Sequence, residues 1–385
     1  MLQALLSRLA VGALTVETPS GGRVSFAATA PGPDATIKLH RWRALWRLLI
    51  GGDLGFAEAY VDEDWSTPNL KTFLELGARN EAALADAMRG TPLLRAINRL
   101  RHLRRGNTRR GSRRNIAAHY DLGNDFYAEW LDGGMTYSSA LFTAQTNSLE
   151  AAQAAKYHRA ADMLSVAGGE KVLEIGCGWG GMAELLARGH GCNVTALTLS
   201  QQQRDYAAAR MKTAGVASQV DVQLTDYRDI QGTFDRAVSI EMFEAVGEEH
   251  WPSYFDMLRR RLAAGGVAVV QIITIAEAKF AEYRRNADFI QRYIFPGGML
   301  PSEGALREQI ARAGLFLSGR ENFGESYART LAEWQARFQR AWPRIASFGF
   351  PTRFKRTWEY YLAYCEAGFR AGAIDVGLYR IEKPS

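Results

Sequence analysis

The run Val172-Leu173-Glu174-Ile175-Gly176-Cys177-Gly178-Trp179-Gly180-Gly181 constrains this chain more than any other segment. An apolar strand enters a glycine-rich turn without a spacer, and the turn opens a helix. Glycines there let the backbone approach a ligand closely, and the helix N-terminus that follows favours negative charge. The pattern then becomes periodic. Apolar runs at 171–176, 193–199, 220–225, 234–240 and 266–273 read as strands, with helical segments at 181–188, 201–214 and 253–264 between them. Two later strands, 315–320 and 377–382, flank aromatic-rich helices at 327–348 and 352–371. Strands alternating with helices predict an α/β fold, a doubly wound and mostly parallel seven-stranded sheet covered on both faces.

The turn alone does not name its ligand, because dinucleotide-binding folds use similar glycines. The second strand, however, ends in Thr198-Leu199-Ser200 with Gln203 after it, and has no acid at its tip to take a ribose. Asp226-Tyr227 closes the third strand. This set resembles the class I S-adenosylmethionine (SAM) methyltransferases.

Flanking segments carry a narrower resemblance. They are His119-Tyr120-Asp121-Leu122-Gly123-Asn124-Asp125-Phe126-Tyr127, Met135-Thr136-Tyr137-Ser138-Ser139-Ala140 and Glu241-Met242-Phe243-Glu244-Ala245-Val246-Gly247. Tyr293-Ile294-Phe295-Pro296-Gly297-Gly298 and Asn322-Phe323-Gly324, leading to Tyr327, complete them. Together they look like the cyclopropane-fatty-acyl-phospholipid synthase and mycolic acid cyclopropane synthase family, over residues 115–385 in order. The stretch GGDLGFAEAYVDEDWSTPNL is similar to the accessory domain of the longer, phospholipid-acting members.

The resemblance implies a site. Tyr137 and Ser138 would touch the methionyl end of SAM, with Tyr120 near its reactive end. Glu174, Gly176, Gly178 and Gly180 would hold the carboxylate side. Thr198, Leu199, Ser200 and Gln203 would lie at the ribose, and Asp226, Tyr227 and Arg228 beside the adenine. The family also binds a bicarbonate ion next to the SAM methyl group. The matching positions are Ser139, Glu244, Gln271, Ile273 and Tyr327, with Ser139 standing where the family has Cys and Gln271 where it has His. Neither replacement titrates near neutral pH as His does.

The chemistry implied is attack by an acyl-chain double bond on the sulfonium methyl, leaving a carbocation. Such a cation survives only where water is excluded, and aromatic faces stabilise it without reacting. Trp334, Phe338, Trp342, Trp358, Tyr360, Tyr361 and Phe369 are candidates to line the acyl chain's path. Proton loss from the new methyl closes a cyclopropane ring, the nominal reaction. Loss of a different proton, or hydride addition, gives a non-cyclised, methylated chain instead. A non-catalytic lipid-binding protein that senses SAM is a further reading.

Composition bears on the rest of the chain. Residues 1–115 hold 18 Lys and Arg against 10 Asp and Glu, so the whole positive excess sits in the first third. Nine arginines and no acid fall within 95–115. An anionic partner is expected for this third. No RNA motif or zinc finger is present, so nucleic acid is not expected and an anionic membrane surface is. Residues 1–115 read as a smaller α+β accessory domain with its linker, and 116–385 as the catalytic domain. Strands are expected at 14–17 and 22–27, with helices at 40–50, 56–60 and 69–89. Three cysteines, Cys177, Cys192 and Cys365, form neither a disulfide framework nor a metal-ligand spacing. No apolar run reaches the roughly 20 residues of a membrane helix. The expectation is a cytoplasmic enzyme peripherally bound to the inner membrane face, acting on unsaturated phospholipid acyl chains, with a homodimer left open.

Overall fold

A computed structural model describes residues 6–88 and 122–385. Tyr120, the arginine run and the 115/116 boundary lie outside the described residues. The chain divides into two units. One holds the described part of Met1–Arg104 with Ala281–Ile294 and Leu331–Ile374; the other holds the described part of Arg105–Phe280 with Phe295–Thr330 and Asp375–Ser385.

The first unit contains a four-stranded sheet of β1 (Val11–Glu17), β2 (Arg23–Ala27), β3 (Ala30–Leu39) and β4 (Trp65–Ser66), in the order β2-β1-β3-β4. A tight turn at Thr18–Gly22 joins β1 to β2, and β1 runs parallel to β3. The two expected helices at 40–50 and 56–60 are halves of one element, Arg43–Val61, broken at Gly52. Gly52 has φ +65°, a conformation that costs glycine little and ends the helical register there. Likewise 69–89 is two helices, Leu70–Arg79 and Glu81–Met88, separated at Asn80. The buried Asn80 side chain accepts from the Ala10 and Val11 N–H groups and donates to the Val11 and Leu76 carbonyls. That satisfies an amide which would otherwise be costly to bury. Trp65 is fully buried, stacks on Phe56 at 4.6 Å and donates to the Phe56 carbonyl. Of the aromatic residues read as lining an acyl path, Trp334, Phe338, Trp358, Tyr360, Tyr361 and Phe369 are buried in this unit's core. Phe338 lies against Trp342 and Trp358.

The second unit contains β5 (Lys171–Ile175), β6 (Asn193–Thr198), β7 (Val220–Leu224), β8 (Phe234–Ile240), β9 (Leu262–Ile275) and β10 (Phe316–Asn322), with β11 (Ile374–Glu382). The order is β10-β11-β9-β8-β5-β6-β7. Strands β5 to β9 pair in parallel, and β10 is antiparallel to β11. This is the expected doubly wound, mostly parallel seven-stranded sheet. The strand order reverses at β5, which has β6 on one side and β8 on the other. Ligands in such sheets bind beyond the carboxyl ends of the strands at that reversal. The site residues of the sequence reading fall there: the glycine turn after β5, Thr198 at the end of β6, Glu244 after β8 and Gln271 within β9.

Candidate active site

The turn after β5 is held from behind. The Gly176 and Cys177 N–H groups both donate to the Leu197 carbonyl of the neighbouring strand end. Gly176 has φ +84°, and a Cβ there would stand 2.8 Å from Met242 Cγ. Gly178 differs: at φ +52°, a Cβ on it would meet nothing within 4 Å. It faces open space, as a backbone cradle must. Glu174 is buried just before the turn, and its Oε2 has no partner among the described residues. Burial pushes its carboxyl up to about 8. A buried carboxyl with one oxygen left without a donor, beside an open glycine cradle, fits a ligand that brings donors, such as the amino acid end of SAM.

Next to this turn, the Asp132 carboxylate accepts from the Gly134 and Thr136 N–H groups and from the Thr136 hydroxyl, folding the loop into Tyr137 and Ser138. The helix Leu149–Leu164 grips the same loop. Gln153 Nε2 donates to the Ser138 carbonyl at 2.8 Å, and Lys156 Nζ to the Ser138 hydroxyl at 2.6 Å. Lys156 is fully buried. Burial lowers its pKa to about 8 against the opposing charges of Glu241, Asp132 and Glu174. Tyr137 packs among Tyr127, Trp130 and Phe295.

The ribose and adenine candidates mostly hold one another. Thr198 Oγ1 donates to Gln203 Oε1 and accepts from the Ser200 N–H, while Ser200 caps the helix Gln201–Thr213 through the Gln203 N–H. Leu199 lies between them. Asp226 accepts from Arg228 Nε and Nη2 and from its backbone N–H. Tyr227 packs edge-on against Tyr254.

The anion-site candidates converge, with one addition. Glu241, the first residue after β8, reaches into the centre of the set. Its Oε1 accepts from the Ser139 N–H at 2.7 Å and from Gln271 Nε2 at 2.6 Å, and its Oε2 from the Tyr327 hydroxyl at 2.6 Å. Ser139 serves through its backbone, since its own hydroxyl donates to the Ala140 carbonyl. Glu244 lies one step away. Its Oε1 accepts from the Ile273 N–H at 2.6 Å, and its Oε2 has no partner among the described residues. A side-chain carboxylate thus takes three of the donors that the resemblance reserves for bicarbonate. A further anion would find the Ser139, Gln271 and Tyr327 donors taken and the Glu241 carboxylate in their midst, with only a protonated Glu244 left to donate, so the residues as arranged do not favour bicarbonate.

Glu241 sits at φ +48°, in the left-handed region that favours glycine. Burial raises the pKa of both carboxyls; at Glu241 it is opposed by Tyr327, Ser139, Lys156 and Gln271. At Glu244, pushed up to about 8 by burial and then by the charge on Glu241, one backbone N–H dominates the opposition. Two close carboxyls do not both ionise readily. The donor set places the negative charge on Glu241 and leaves the proton on Glu244.

Sequence reasoning missed Glu241, Lys156 and Gln153. Glu241 stood in the Glu-Met-Phe-Glu motif, but only the second acid was assigned. Lys156 and Gln153, three apart on an alanine-rich helix, lie outside every motif that carried the resemblance.

Residues 107–378 match the family model described as mycolic acid cyclopropane synthetase. The chain belongs to that family. It is 40% identical over 368 residues to the tuberculostearic acid methyltransferase UfaA1 of Mycobacterium tuberculosis, covering 93% of this chain and 85% of that one. Its identity to the cyclopropane-fatty-acyl-phospholipid synthase of Escherichia coli is 35% over 344 residues, covering 87% and 84%. Among solved structures, mycolic acid cyclopropane synthase CmaA1 in complex with SAH and CTAB superposes with a TM-score of 0.66 at 31% identity, covering 70% of this chain and 98% of that one. As a member of the mycolic acid cyclopropane synthetase family, the chain is a SAM-dependent methyltransferase, the class that the turn after β5 and the ends of the next two strands together resembled.

Proposed function

We propose that this enzyme methylates the double bond of unsaturated acyl chains in membrane phospholipids and that Glu241 takes the proton lost afterwards, giving a methylated, non-cyclised chain. The observation that carries the reading is the Glu241 carboxylate in the grip of Ser139, Gln271 and Tyr327. SAM, when bound, supplies a methyl electrophile to the alkene. The turn after β5, the Asp132-folded loop and Lys156 with Gln153 position it, and the packed aromatic residues around Tyr137 keep water from the developing carbocation. Glu241 is the base: an anion fixed by three donors and faced by the Lys156 cation. Glu244, as a neutral acid, adds no second negative charge that would resist ionisation of Glu241. Bicarbonate has no part in this scheme.

The likeness to a tuberculostearic acid methyltransferase over most of both chains supports the non-cyclising outcome. Ring closure by the same base is the second reading, favoured by the likeness to cyclopropane synthases. The working location is the cytoplasmic face of a membrane, reached as a peripheral protein; no helix among the described residues is long and apolar enough to cross one.

Expression in a host with monounsaturated phospholipids and no such enzyme tests the proposal. The expected product gains one CH2, takes up hydrogen on catalytic hydrogenation and lacks upfield ring protons by NMR. Ring protons would transfer the conclusion to cyclopropanation, and unmodified lipid in an expressing, SAM-competent host would overturn methyl transfer altogether.

A further inference from the structure

We infer that the outer face of the first half of the helix Arg43–Val61, carrying Trp42, Trp46 and Leu49, is the surface by which the first unit seats on an anionic phospholipid bilayer; this rests on the reading of the substrate as membrane lipid. Trp42 is 48% exposed, Trp46 62% and Leu49 37%, with Ile50 at 44% beside them. Positions 42, 46, 49 and 50 fall on one stripe of a helix. Ala44, on the other side, and Leu45, at the flank of the stripe, are buried. This half-helix is therefore apolar on both faces, and only one of them is spent on the core. Large side chains exposed together in this way mark an interaction site.

The surrounding charge selects a lipid surface. Arg41, Arg43 and Arg47 gather on the buried Asp64 carboxylate at 3.2, 2.8 and 3.7 Å. Arg47 and Arg353 pair with Asp62 at 2.8 and 3.2 Å. Four guanidinium groups thus share two carboxylates, leaving a positive rim in which the Arg41 and Arg353 side chains are each 61% exposed. Indole rings sit well at headgroup depth, apolar body inward and N–H toward the wet side. Arginines alongside meet lipid phosphates. The stripe spans ~12 Å, enough for a short element lying flat in the interface rather than entering it end-on. The break at Gly52 limits it, since Leu54, Ala57 and Tyr60 beyond the break are buried.

The test uses full-length protein and extruded vesicles, either phosphatidylglycerol with phosphatidylcholine or phosphatidylcholine alone. Wild type should co-sediment with the anionic vesicles more than with the neutral ones. The double substitution Trp46→Glu with Leu49→Glu, on exposed positions that tolerate change, should weaken that binding by about tenfold or more. Trp46→Phe should retain most of it. Methylation of vesicle lipid should fall in parallel, while methylation of the same lipid dispersed in detergent micelles stays at the wild-type level. Vesicle binding unchanged by the double substitution would overturn the inference, and a simultaneous change in oligomeric state would assign the face to a second copy of the chain. Loss of binding in the double variant, with a wild type that methylates no lipid in either form, would sustain the docking face and overturn the proposed function instead.

Discussion

The Tyr327 hydroxyl donates to Glu241 Oε2 at 2.6 Å, joining two residues 86 positions apart across the site. This contact stabilises the charged carboxylate and opposes the burial that raises its pKa. Removing it with Tyr327→Phe should push the Glu241 pKa further up. The base is then ionised only at higher pH, so the acid limb of the turnover profile should move upward while SAM affinity holds. A pH series of kcat for the two proteins checks the direction; coincident limbs would separate Tyr327 from the base.

Glu241→Gln keeps the side chain's shape but cannot accept a proton. Turnover should fall by about 10²-fold or more, the scale for a lost general base, with SAM binding by calorimetry unchanged. Glu244→Gln should cost far less, since Glu244 is held neutral and its Oε1 bond to the Ile273 N–H survives the change. Equal losses in the two variants would contradict the division of roles drawn from their donors.

Glu241→Gly should relieve a side chain held at φ +48° and leave the Ser139 N–H, Gln271 Nε2 and Tyr327 hydroxyl without their acceptor. A small carboxylate can then enter. Millimolar-range formate or bicarbonate should restore part of the variant's turnover, whereas wild type should be indifferent to either. A wild type that slows when bicarbonate is stripped from the buffer would return the base to the dissolved ion.

Lys156 loses its proton near pH 8 because burial disfavours the cation. Above that pH Glu241 loses an opposing charge and Ser138 keeps only an uncharged, weaker donor, so wild-type turnover should decline on the alkaline side. Lys156→Met should abolish that decline and shift the acid limb upward, since the same cation favours the Glu241 anion at lower pH. Gly178→Val bears on the cofactor instead. A branched side chain would fill the cradle that is open in the wild type, and SAM affinity should drop more than tenfold, about 1.4 kcal/mol or more.

Much of the fold and part of the site are legible in the amino-acid sequence. The order of strands from 171 to 382 could be read because parallel strands buried on both faces give uninterrupted apolar runs, while the helix Glu303–Arg312 was not read. The glycine turn was legible because strand, turn and helix follow without a gap. The strand β3 was not: its Pro31, Pro33 and Asp34 disguise a ten-residue extended segment that pairs with β1 and β4. Glu241 escaped for another reason. Its role depends on which donors reach it from Ser139, Gln271 and Tyr327, and no local pattern carries that information. Lys156 was hidden by the prior that lysines on alanine-rich helices face water. The exposed stripe of Trp42, Trp46 and Leu49 was read simply as an apolar helix, since composition does not say which side of such a helix is covered.

The backbone at Glu241 has a genetic corollary. A position already bent for glycine accepts glutamate at the cost of modest strain, and the codons GGA and GGG become GAA and GAG by a change of one base. Within this fold, the step between a glycine after β8 and a carboxylate in reach of the Ser139, Gln271 and Tyr327 donors is therefore a single base change.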